Sequence, residues 1–255
     1  MRPYILQETT WKTIKERKYE IALLPWGATE PHNLHLPYGT DTLETTRIAE
    51  EAAAKAWQEG CFVMVLPTIP LGVQNPGQIE LPFCLHTRPS TQFRILSDVI
   101  HDLYGQGIHK IVLLNGHGGN DFKSFIRELQ PGYPGMFIGL VEWFSIFNNS
   151  DFFEEPGDHA GEMETSIMLH YFPEMVLPLE NAGDGSSKKF IIEALEKKVA
   201  WTPRQWDKIS RDTGAGNPEK ATPQKGKKFL DKLTGEIAEF LTELGKAGPT
   251  DIYEA

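Results

Sequence analysis

Three short stretches of the chain concentrate residue types that bind metal ions or move protons. The first, residues 27–41, runs Gly-Ala-Thr-Glu-Pro-His-Asn-Leu-His-Leu-Pro-Tyr-Gly-Thr-Asp and supplies Glu30, His32, His35 and Asp41. Glu30 and His32 are two apart, so in an extended segment both side chains project to one side and His35 points elsewhere. Asp41 opens a helical pattern, either as its N-cap or with its carboxylate turned toward Glu30 and His32. The second stretch is Asn115-Gly116-His117-Gly118-Gly119-Asn120. A Gly-rich turn between a strand and a helix can cradle an anion, but this one lacks the Lys and Ser/Thr of a P-loop and the G-x-G-x-x-G spacing. The third is Asp158-His159-Ala160-Gly161-Glu162-Met163-Glu164-Thr165-Ser166. A histidine and two acids here enter a predicted helix, where acids also complement the dipole, and Glu162 and Glu164 face different directions, so at most one aims at a given site.

Summed, the three stretches offer His32, His117 and His159 with Glu30, Asp41 and one of Glu162 or Glu164. Nitrogen and carboxylate oxygen without thiolate form the ligand set of a hydrolytic Zn, Mn, Fe or Co centre, in which one carboxylate can bridge two ions about 3.5–4 Å apart. No G-x-S-x-G motif competes, and Cys61 and Cys84 sit in contexts that suit the core. Trp26 and Trp143 end predicted strands, where core packing is the expected role and an aromatic wall for a flat substrate the other.

A scaffold must bring these segments together. Four apolar runs, 21–25, 62–67, 110–114 and 136–141, are strand-sized and lack clean alternation, the pattern of strands covered on both faces. Helical patterns over 41–57, 91–104, 119–129, 161–171 and 225–244 alternate with or follow them. This order predicts an α/β fold of three α/β/α layers with a mainly parallel sheet and right-handed crossovers. The first two motifs directly follow strands, where open α/β sheets form their crevices. No repeat or linker divides the chain, which reads as one domain over 1–255.

Composition bounds the setting. At 255 residues, 40% apolar and 24% charged, the chain can bury a sizeable core without staples, and two cysteines make no disulfide framework. A reducing, cytoplasmic location is expected. With 25 Lys+Arg against 35 Asp+Glu, the net charge of −10 excludes a nucleic-acid footprint. No window approaches the ~20 apolar residues of a membrane span, and residues 1–15 lack a signal-peptide core.

The motifs resemble those of the creatininase (creatinine amidohydrolase) family. G-x-x-E-x-H-G-x-H-L-P-x-x-T-D, N-G-H-x-x-N and H-A-G-x-x-E-T-S appear here in order, and residues 214–226 are similar to the family's C-terminal G-x-x-G-x-P-x-x-A-T segment. The resemblance implies a layered α/β fold, a dinuclear metal site, hydrolysis of an amide-type carbon–nitrogen bond and a homo-oligomer, often a hexamer. It implies Glu30, His32, Asp41 and His117 as metal ligands, with Asp41 bridging, and a proton-transfer role for His159. Two positions depart from the family pattern. Asn33 replaces a glycine, which Asn tolerates because it accepts left-handed backbone angles. Gly119 stands where creatininase has a metal-binding glutamate, and Glu164 is the natural substitute, with Glu162 behind it. The stretch 72–87 also lacks the family's F-P-G-T sequence.

The expected function is therefore metal-dependent hydrolysis of a small cyclic or linear amide, creatinine-like, formamide or peptide-like. Two divalent ions are expected per chain, Zn first with Mn or Fe as alternatives, and no nucleic-acid or membrane partner. The competing expectations are a non-catalytic module whose residues 115–120 cradle a small anion, and a metal-assisted isomerase or lyase.

Overall fold

A computed structural model describes residues 2–254. Four parallel strands, β1 (Ile21–Trp26), β2 (Val63–Val65), β3 (Lys110–Asn115) and β4 (Phe137–Glu142), form a sheet in the order β2-β1-β3-β4. Alternate residues of each strand feed opposite faces. Ile21, Leu23, Val112 and Leu114 pack with α2 (Thr40–Gln58) and α8 (Pro223–Lys246) through Ile48, Ala52, Phe229, Leu233 and Ile237. Ala22, Leu24, Ile111 and Leu113 pack on the other face with α3 (Pro89–Gly105) and α4 (Lys123–Leu129) through Leu96, Ile100 and Leu129. The three layers and the parallel sheet agree with the sequence expectation. Because the chain leaves β1 for β2 on one side and returns to β3 on the other, the crevice opens beyond the carboxyl ends of β1 and β3.

Some elements differ from the sequence reading. Helix α4 begins at Lys123 rather than near Gly119, because Asn120 is held in the turn: its amide donates to Asn115 Oδ1 (3.0 Å), and its Oδ1 accepts from Gln92 Nε2 (2.7 Å). His159 does not enter a helix. It ends strand β5 (Gly157–His159), which pairs antiparallel with β6 (Ala215–Gly216), and α5 (Glu162–Tyr171) starts three residues later. A Cβ on Gly157 would lie 2.5 Å from Gly216 Cα, so this pairing depends on glycine. Three one-turn helices, α1 (Trp11–Ile14), α6 (Glu193–Glu196) and α7 (Trp206–Ile209), carry too little periodicity to be read from sequence. Cys61 is buried as expected, whereas Cys84 is only half-buried and lies in a loop.

Candidate metal centre

The loop after β1 carries Glu30 and His32, and it turns at Asn33, whose φ of 53° is the left-handed conformation that Asn tolerates. Asp41 is the second residue of α2. Gly39 takes the N-cap position, which leaves the Asp41 carboxylate free to face the histidines. His117 follows β3, His159 ends β5, and Glu164 sits in the first turn of α5. All six residues are buried and converge on one point.

His32 Nε2 lies 2.9 Å from Asp41 Oδ1. His117 Nδ1 lies 3.0 Å from Glu30 Oε1 and 2.9 Å from Asp41 Oδ2, and His159 Nδ1 is 3.7 Å from Glu30 Oε1. Three overlapping sets, Glu30–Asp41–His117, His32–Asp41–Glu164 and Glu30–His32–His159, each place one ligand atom per residue within 4.8 Å of the others. The second nitrogen of every ring meets a backbone carbonyl: His32 Nδ1 at Glu30 O (3.0 Å), His117 Nε2 at Val73 O (2.8 Å) and His159 Nε2 at Pro31 O (2.9 Å). A carbonyl only accepts, so an N–H lies on that side and the inward nitrogen is left to hold a second proton or a metal ion. An inward lone pair facing carboxylates repels them unless such a cation stands between. Asp41 Oδ2 makes the same point, since it receives no aligned hydrogen bond despite its 2.9 Å approach to His117. The donor set fits divalent metal ions, and carbonyl-anchored histidines are the usual support of such ligands.

The electrostatics agree. Burial disfavours charge on His32, but Asp41, with Glu164 and Glu30, outweighs it and pushes the ring up to about 10. Burial likewise opposes charge on Asp41, yet His32 and His117 hold its carboxyl well below the usual range. Glu164 is pushed up to about 7, chiefly by burial. Burial and the neighbouring His32 lower His159. Of the three rings, only His159 is biased toward its neutral form.

Glu162 turns away from this cluster. Its carboxylate accepts from the backbone amides of Glu154 and Glu155 (2.7 Å each) and pairs with Lys225. His35 is also apart from the cluster, bonded to Thr165 Oγ1 at 2.9 Å. Gln78 was not legible as a site residue: its amide donates to Glu30 Oε2, yet no spacing rule links it to Glu30. Gly119 has no room for a side chain, since a Cβ there would lie 2.1 Å from Val73 O and 2.6 Å from His117 Nε2. Trp26 is core, its indole donating to Leu71 O at 2.8 Å. Trp143 is equally buried but also borders the cavity.

That cavity, about 680 Å³, opens over the centre and is bordered by Glu30, Asp41, His117, His159 and Glu164. Three backbone amides of the turn at 115–120 are already committed. The Gly116 amide donates to Trp26 O, that of His117 to Asn115 Oδ1 and that of Asn120 to His117 O.

Residues 7–241 match the Creatininase family (creatinine amidohydrolase). The crystal structure of a provisionally named creatinine amidohydrolase from Bacteroides fragilis NCTC 9343 is 47% identical, with a TM-score of 0.94 and 100% of both chains covered. The 3-dehydro-scyllo-inosose hydrolase of Thermotoga maritima is 31% identical over 216 residues, 76% of this chain and 67% of that protein. A creatininase solved in a manganese form shares the fold, with a TM-score of 0.76 and 22% identity over 95% of this chain and 99% of the other. With that match running through nearly the whole fold and all three motifs, the chain belongs to the Creatininase family of amidohydrolases.

Proposed function

We propose that this protein hydrolyses an amide-type carbon–nitrogen bond of a small molecule at a dinuclear metal centre. The observation that carries this reading is the anchoring of three histidines on backbone carbonyls, with their other nitrogens turned toward Glu30, Asp41 and Glu164. Glu30, Asp41 and His117 would hold one ion and His32, Asp41 and Glu164 the other, with Asp41 shared. Zinc suits this nitrogen–oxygen set first, with manganese or iron as alternatives. When bound, such ions supply Lewis-acid activation of water and of the scissile carbonyl.

The protein's own residues do the rest. Gln78 holds the outer oxygen of Glu30, and the Val73, Pro31 and Glu30 carbonyls fix the three imidazole tautomers. His159, biased toward neutrality, takes at Nδ1 a proton from the attacking water and delivers it to the departing nitrogen. Trp206 stands edge-on to His159, with ring centroids 5.2 Å apart and planes at 90°, and limits rotation of the imidazole. Family resemblance also supports a homo-oligomer as the working assembly.

Metal analysis of the purified protein, followed by a screen of small amides, lactams and formamides, tests the proposal. One or two transition-metal ions per chain and a product heavier by one water are expected. A metal-free protein would instead suit a binding module, and a product of unchanged mass an isomerase.

A further inference from the structure

Helix α3 turns one stripe inward, and three of its four buried residues, Leu96, Ile100 and Leu103, are apolar. The fourth, Gln92, is a wholly buried carboxamide at the same helical spacing, where packing alone calls for another apolar side chain. Burying an amide costs free energy unless its polar atoms are paired, and Gln92 Oε1 meets no partner. Packing therefore does not account for this side chain.

Its amide nitrogen does. Nε2 donates to Leu71 O (3.1 Å) and to Asn120 Oδ1 (2.7 Å). Leu71 O only accepts, which fixes the nitrogen on that side. Asn120 Oδ1 also accepts from the Val73 amide at 3.2 Å, and Val73 O accepts from His117 Nε2 at 2.8 Å. Val73 is thus held through its N–H by Asn120 and meets through its carbonyl the ring it orients. A second route runs through the main chain: Asn120 Nδ2 donates to Asn115 Oδ1 (3.0 Å), which also accepts from the His117 amide (3.2 Å). One carboxamide on α3 therefore reaches His117 twice over, whereas His32 is anchored within its own loop at Glu30 O. Loss of the Gln92 donors strands neither acceptor. Leu71 O keeps Trp26 Nε1 (2.8 Å), and Asn120 Oδ1 keeps the Val73 amide.

We propose that Gln92 is a positioning residue for His117, acting through Asn120 and Val73 to hold the imidazole with Nδ1 turned toward Glu30 and Asp41. The inference rests on the metal-centre reading for what that nitrogen then binds, while the orientation of the ring stands on the hydrogen bonds alone.

Gln92→Met keeps the length of the side chain and removes both donors. Because each acceptor retains another donor, the variant should fold with a thermal midpoint within about 4 °C of the parent. Zinc titration of the metal-free protein against a competing chelator reads the dissociation constants. The ion at Glu30, Asp41 and His117 should weaken about tenfold in Gln92→Met, and the ion at His32 by less than about twofold. The same substitution in a Glu164→Gln background, where the His117 ion is the one retained, identifies which ion responds. Asn120→Ala should weaken the same ion, and adding Gln92→Met to it should change nothing further, since the two residues act in series. The Nε2–H proton of His117, assigned by its loss in His117→Ala, should exchange with solvent faster in Gln92→Met, a signal that a packing role would not move. Equal weakening of both ions, no weakening of either, or additive effects of the two substitutions would overturn the inference. So would failure of both Gln92→Met and Gln92→Leu to fold, which would make Gln92 a residue of the fold. A parent protein that takes up no zinc counts against the metal-centre reading alone, and the Nε2–H exchange then decides this inference.

Discussion

His117 Nε2 stands 2.8 Å from the carbonyl oxygen of Val73, and the space beside that contact is closed at Gly119. The contact fixes the tautomer that turns Nδ1 toward Glu30 and Asp41. It also removes position 119 as a source of a ligand, because any Cβ there would strike both the oxygen and the ring. The glutamate that creatininase has at this place cannot be restored by substitution alone.

Gly119→Glu is accordingly expected to lose metal rather than gain a ligand. The new side chain must displace Val73 or tilt His117, and either movement spoils the Glu30–Asp41–His117 set. Elemental analysis of the folded variant checks this. Tighter retention of two ions than in the parent would show that the Val73 segment yields more easily than its packing implies.

Asp41 belongs to two of the three ligand sets, with Oδ1 at His32 and Oδ2 at His117. Asp41→Ala should therefore abolish binding of both ions, since a shared carboxylate serves each and its loss leaves two like charges to repel directly. Two tightly bound metals in that variant would rule out the bridge.

Much of this centre was legible because its residues sit at places the chain marks locally. Glu30, His32 and His117 follow apolar strand-sized runs, so their convergence beyond β1 and β3 follows from the parallel order. Asn33 carried its own backbone signature. What the sequence did not show depends on distant contacts. The carbonyls of Val73 and Pro31 and the amide of Gln78 belong to segments with no periodic signal. His159 lies on a three-residue strand whose partner, Ala215–Gly216, is far along the chain, so local pattern alone favoured a helix start. The choice between Glu162 and Glu164 was likewise invisible until Lys225 and the 154–155 amides were seen to engage the former.

Metal binding should release protons. In the metal-free protein burial opposes charge on His32 and His117, but the surrounding carboxylates prevail, holding His32 up at about 10 and raising His117. Both rings are then protonated at neutral pH, and an ion must displace those protons to reach the lone pairs. For His32 the bound proton favours the metal-free fold fully below its ordinary range, and that contribution is lost as pH rises through about 10. Metal affinity should run the opposite way, rising with pH by about one log unit per pH unit for each proton displaced. Calorimetric titrations in buffers of different ionisation enthalpy read the proton count directly, and a buffer-independent heat would contradict the charge state assigned to His32 and His117.

The two acids of α5 should separate cleanly by readout. Glu164→Gln is expected to weaken the ion held with His32 and Asp41 while leaving the one at His117 in place. Glu162→Gln should keep both ions and instead lower stability by about 1–3 kcal/mol, because the buried carboxylate serves two backbone amides and Lys225. Metal content and thermal denaturation of the pair decide the matter, and a selective metal loss in Glu162→Gln would exchange their roles.

His159 poses the sharpest test, because its geometry permits two roles. Its Nε2 is tied to Pro31 O, so Nδ1 is the only nitrogen free to work, and that atom lies near Glu30 within a set that also includes His32. A proton carrier and a metal ligand would both use it. Two features favour the carrier: burial and the charge on His32 keep the ring biased toward neutrality, and its 3.7 Å approach to Glu30 is the longest imidazole–carboxylate contact in the cluster. His159→Ala should therefore fold, retain its metal and lose about 10²–10⁴-fold in turnover on a cleaved amide. The loss should shrink for substrates with good leaving groups, which need less protonation at nitrogen. Depletion of one ion in His159→Ala would move the residue among the ligands, and unchanged turnover with full metal content would leave it a structural link between Pro31 and β5.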